Sequence, residues 1–218
     1  THDGAEIESG MVIIDELVKT ISFDNIPSRP TPSWFRGFSA PIKFNSNLST
    51  SEKIFLVSND SDPFNRWDSV QNLWLEYILS PELVSKKELF SMVKNLLDKE
   101  TDFALLSEMI TLPSEQIIHQ NVREINVEEV HNKRNKSYLE IGGTFKEVFL
   151  KVYEKLNYKK SFNLSSLSVA ERALKNKCLG YLTKLGEFDI AYQQFINSEC
   201  MTDQFGAFQP LLESSNSY

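Results

Sequence analysis

The sequence predicts a mixed, mainly α chain, in which a partial antiparallel β-sandwich is followed by an α-helical array of superhelical, solenoid-like type. Three observations carry this. Alternating apolar residues and prolines occupy the first sixty or so positions, helical spacing takes over after Asp60, and short connections with capping residues recur from there on. The expected domains are therefore residues 1–59, the partial β-sandwich, and residues 60–218, the first part of a helical domain.

From Met11 to Phe44 the chain reads as strands: "MVII", then "LVKTISF" with Leu17, Lys19, Ile21 and Phe23 on one face, and later "APIKF". Pro27, Pro30 and Pro32 cannot donate to a ladder, so "NIPSRPTPSW" is an extended connection or edge. About three strands are fewer than a self-contained sheet needs, so this part calls for strands or a surface from elsewhere.

Asp62 is the expected N-cap of the first helix, with Pro63 at its first position and Phe64, Trp67, Gln71, Trp74 and Ile78 near one face. Ser80-Pro81 opens the next, with the stripe Leu89, Phe90, Val93, Leu96 and Leu97. Asp102 begins a third that carries Phe103, Leu106 and Ile110 and stops before Pro113. Asn126 and Glu129 have capping-box spacing and start a long helix with Gly142-Gly143 as its weak point. The segments "LSVAERALKNKCLGYLTKL" and "FDIAYQQFINS" form a helix pair around Gly186. Short connections between successive helices point to an α-array.

Composition narrows the function. The 218 residues are 41% hydrophobic and 24% charged, enough to bury a sizeable core. Lys+Arg at 23 against Asp+Glu at 30 gives a net charge of −7, which argues against nucleic acid or an anionic membrane as partner. No run approaches the roughly 18–20 apolar residues of a membrane span, and "THDGAEIES" lacks the features of a signal peptide. Cys178 and Cys200 lie on helix-like segments and read as buried thiols, which places the chain in a reducing, cytoplasmic compartment.

Motifs of catalysis are missing from the sequence: H-E-x-x-H, G-x-S-x-G and the phosphate-binding glycine loops do not occur, and the histidines His2, His119 and His131 have no metal-site spacing. The basic run "HNKRNK", from His131 to Lys136, reads as a solvated helix face. "LGYLTKLGEFDIAYQQF" approaches a tetratricopeptide hairpin but has no second copy at the repeat length. Arg66 and Asp68 flank Trp67 without facing one another. Trp67 is expected in the core, Arg66 on loop carbonyls at a sheet–helix junction, and Asp68 in the favourable field of the helix start.

Several stretches resemble the alanyl aminopeptidase N branch of the M1 zinc metallopeptidases. "PSWFRGFSAPIKF" (Pro32 to Phe44) looks like that family's strand leading out of its small β-sandwich, and "DPFNRWDSVQNL" (Asp62 to Leu73) like the first helix of its C-terminal domain. "ITLPS" (Ile110 to Ser114), "ERALKNKCLGYL" (Glu171 to Leu182) and "CMTDQFGAF" (Cys200 to Phe208) follow in the family's order. The resemblance implies a parent hydrolase that removes N-terminal residues from peptides with a zinc-bound water. Its zinc ligands and its substrate-amine motif belong to a catalytic domain that would precede Thr1.

It follows from the resemblance that no residue here is catalytic, metal-binding or substrate-binding, and that the chain itself binds no zinc. The implied role is to brace the catalytic domain and help wall a chamber that admits short peptides. Expected partners are the missing catalytic domain and, for the isolated fragment, further copies of itself. The alternatives are a stand-alone helical-repeat module that binds a peptide or protein, and an independent hydrolase with an unrecognised site.

Overall fold

The computed structural model describes residues 10–26, 28–40, 42, 44–124, 126–157 and 162–215. Their regular structure is helical. The helices are α1 (Thr50–Asn59), α2 (Pro63–Leu79), α3 (Lys86–Lys99), α4 (Phe103–Met109), α5 (Glu115–His119), α6 (Val127–Leu156), α7 (Ser166–Lys184), α8 (Phe188–Asn197) and α9 (Met201–Ser215), with short 3-10 turns at Arg36–Phe38 and Pro81–Leu83. Among the described residues no helix is long and apolar enough to cross a membrane.

The expected strands do not form. No strand occurs among the described residues of the segment read as a partial β-sandwich, and Pro41 and Lys43 of the last candidate strand lie outside the described residues. The alternation is real, but a strand is completed only by a neighbour's ladder. Here Met11, Leu17, Val18 and Phe23 are exposed. The end of the supposed β part is instead helix α1, begun by a reciprocal capping box: Glu52 N donates to Ser49 Oγ at 3.3 Å and Ser49 N to Glu52 Oε2 at 2.8 Å. The Ser49 backbone N–H and then its hydroxyl hold the Glu52 carboxyl below its ordinary range.

The chain divides into two compact units, one ending at Ser69 and one starting at Val70, with the division inside α2. In the first, the 3-10 turn, α1 and the start of α2 are joined by side-chain hydrogen bonds. In the second, α7 is the central helix: α4, α6, α8 and α9 pack on it, while α3 and α5 pack on α6.

Helix starts follow the capping residues read from the sequence. Asn65 N donates to Asp62 Oδ1 at 2.9 Å, Leu105 N to Asp102 Oδ1 at 3.0 Å and Glu129 N to Asn126 Oδ1 at 3.1 Å. α3 starts five residues later than Pro81, at Lys86, with Ser85 as its cap. Its buried stripe is Leu89, Met92, Val93 and Leu96, so Phe90 and Leu97 lie at the edge. In α2 the buried face is Val70, Leu73, Trp74, Tyr77 and Ile78, displaced from the predicted one, and Gln71 lies beside it.

The centre of the second unit is an aromatic stack. Tyr181 of α7 lies between two α6 rings, with centroids 4.2 Å from Tyr138 and 4.6 Å from Phe149, both nearly parallel. Past the end of α7 and its cap Leu185, the chain turns at Gly186, whose φ of 97° suits glycine and whose N–H donates to Thr183 O at 2.9 Å. α8 begins two residues on.

α6 runs unbroken through its glycine pair. Gly142 is buried against Leu185 and Tyr181, whereas a Cβ added at exposed Gly143 would meet nothing within 4 Å. Gly143→Ala is therefore expected to stabilise the chain by about 0.5–1 kcal/mol, because alanine loses less backbone entropy in a helix. The check is the midpoint of thermal unfolding. An unchanged or lower midpoint would show that the Gly143 position gains nothing from helical preference.

Candidate functional site

The strongest polar constellation of the first unit is built around Arg36. The chain must reverse in "WFRGF", and it does so with left-handed backbone at Phe35 (φ 52°), Gly37 (φ 64°) and Phe38 (φ 54°). For the two phenylalanines this costs about 1–3 kcal/mol each. Side chains fix the turn. Arg36 Nη1 donates to Asp60 Oδ1 at 2.8 Å and to Ser33 Oγ at 3.2 Å, and Nη2 donates to Ser61 Oγ at 2.6 Å. Gly37 N donates to Asp62 Oδ2 at 2.6 Å, and Asn65 Nδ2 to Ser33 Oγ at 2.7 Å.

Asp62 thus caps α2 with one oxygen and holds the turn with the other. The Asp60 side chain is 1% exposed; its Oδ1 also accepts from Asp62 N at 2.9 Å, and its Oδ2 is buried without a hydrogen-bond partner. Arg66 Nε donates to Val57 O of α1, a helix carbonyl, at 2.9 Å. Trp67 is half-buried, not central as expected from its spacing, and sits beside Phe64 at 5.6 Å, which in turn meets Phe38 at 5.0 Å. The aspartates at this junction hold backbone and guanidinium. They do not form an acid–base pair.

A second constellation gathers on the carbonyls that follow the short helix α4. A buried helix end leaves its last carbonyls without helical partners. Three other helices supply them. Trp74 Nε1 of α2 donates to Met109 O at 2.8 Å, Gln71 Nε2 to Thr111 O at 2.9 Å, Tyr181 Oη of α7 to Ile110 O at 2.7 Å, and Arg134 Nε of α6 to Pro113 O at 2.8 Å. The stretch "ITLP" is thus the point at which α2, α4, α6 and α7 are tied together. Full burial keeps the Tyr181 hydroxyl protonated, pushing it well above the ordinary phenol range, so that it remains a donor.

Two further clusters hold helices together. Glu140 accepts from Tyr77 Oη at 2.6 Å and from Lys86 Nζ, which also lies 5.2 Å from the centre of the Phe90 ring. The Lys86 bond, and then the Tyr77 bond, hold the Glu140 carboxyl below its ordinary range; burial, and then Glu140, push the Tyr77 hydroxyl up. At α7 and α9, Lys175 Nζ meets Asp203 Oδ2 at 2.6 Å with both side chains largely buried. Asn176 Nδ2 donates to Asp203 Oδ1 at 2.9 Å, and Gln194 Nε2 donates to Asn176 Oδ1 at 2.7 Å and Asp203 O at 2.9 Å.

The residues singled out in the sequence are distributed among these contacts. The run from His131 to Lys136 is more than a solvated face. His131 Nδ1 lies 2.8 Å from Glu115 Oε1, Lys133 Nζ 2.9 Å from Glu129 Oε1, and Arg134 holds Pro113. Cys178 is buried and free, its thiol pushed up to about 12 by burial, and Cys200 is free and half-buried. Among the described residues no three His, Cys, Asp or Glu side chains gather into a cluster. Sequence reasoning missed Arg36, Asp60, Trp74 and Tyr181 as polar anchors. The sequence signals were the left-handed Gly37 within "FRGF" and the "DSDP" run.

Capped helices and tied helix ends make the described residues a helical array. The chain belongs to the family described as "Domain of unknown function (DUF3458_C) ARM repeats", whose model matches residues 50–218. Its curated relatives include the aminopeptidase N of Haemophilus influenzae, 27% identical over 94% of this chain and 25% of the relative. Those of Caulobacter vibrioides and Escherichia coli are 24% and 27% identical with the same coverage. The chain thus spans about a quarter of the length of these relatives. A crystal structure of Legionella pneumophila aminopeptidase A in complex with aspartic acid has the same fold, with a TM-score of 0.77, 24% identity, and coverage of 88% of this chain and 24% of that one. The chain is therefore a homologue of the helical, ARM-like part of aminopeptidase N.

Proposed function

We propose that the chain is a non-catalytic part of a zinc-dependent M1 aminopeptidase that releases N-terminal residues from peptides, and that it braces the catalytic domain and helps wall the chamber through which substrate passes. The observation that carries this reading is the coverage: nearly the whole chain aligns with a quarter of three enzymes named aminopeptidase N. The hydrogen-bonded Arg36 turn and the tied "ITLP" carbonyls suit a rigid support, because each fixes backbone that would otherwise be strained or unpaired.

Within the same proposal, a domain boundary falls near residue 60, between the start of the family match at residue 50 and the division after Ser69. The partner is the catalytic domain, peptides are substrates of the parent, zinc is bound there, and the free thiols suit a cytoplasmic location. Self-association of the isolated chain would arise at exposed apolar residues such as Met11, Leu17 and Val18.

The test is to express the complete reading frame and, separately, these 218 residues, and to assay both on alanine and leucine amides. Chelator-sensitive release by the complete protein and none by the shorter chain is expected. Release by the shorter chain, or an inactive complete protein reconstituted with zinc, overturns the reading.

A further inference from the structure

We draw no further inference here: the strongest candidate, the buried side-chain cluster before α2 in which Asp60 Oδ1 accepts from Arg36 Nη1 while Oδ2 has no hydrogen-bond partner, belongs to the turn-fixing site already described.

Discussion

Asp203→Ala is expected to destabilise the chain by about 3–5 kcal/mol, the usual consequence of removing one partner from a buried ion pair. The Lys175 side chain is 7% exposed and loses its carboxylate contact at 2.6 Å, while Asn176 loses an acceptor at 2.9 Å. Domains of this size are stable by only about 5–15 kcal/mol, so the change removes a large part of what holds α7 and α9 together. Urea unfolding at constant m-value should show it as a lower midpoint. A loss below about 1 kcal/mol would mean that Lys175 reaches water or a new acceptor when Asp203 is removed. The double replacement Lys175→Met, Asp203→Leu is expected to recover part of the loss and not all of it, because an apolar pair removes the buried charge but also removes the shorter of the Asn176 Nδ2 hydrogen bonds, leaving the 3.4 Å one to Thr202 O.

Local chemistry made much of the helical part legible, because a cap, a proline and a glycine act within a few residues of themselves. Asp62, Asp102 and Asn126 start helices where their side chains were expected to, and Gly186 turns the chain just past the end of one, where a left-handed residue is needed. Helix α1 carried the same kind of signal in Ser49 and Glu52, but the strand-like segment before it hid that signal. The β part failed for a different reason. Alternation reports which faces a strand would have, and it says nothing of whether a neighbour completes the ladder.

The ties between helices were illegible for a related reason. Trp74 reads as a position on an apolar helical face and Tyr181 only as part of a helix-pair segment, and their sequence context does not reveal that the indole N–H and phenol O–H end on successive carbonyls of another helix. Periodicity identifies a face, and only tertiary packing decides what it meets.

Tyr181→Ala is expected to be strongly destabilising, because the side chain is fully buried. Truncating a fully buried aromatic costs about 3–5 kcal/mol, and here the vacated space lies between Tyr138 and Phe149, which α6 holds too rigidly to collapse into it. Tyr181→Phe separates the ring from its hydroxyl: the stack remains, Ile110 O loses its donor, and the expected loss is about 1–3 kcal/mol. Trp74→Phe should behave similarly at Met109 O, with a packing loss added. Because Met109 and Ile110 belong to one helix end, the two losses should not add. Once one carbonyl is released the turn can swing toward water, and the second replacement then costs less than it does alone. The double-mutant cycle, measured by urea unfolding, should therefore show a coupling of roughly 0.5–3 kcal/mol. Strict additivity would mean that each carbonyl is held independently and that "ITLP" is not a single junction.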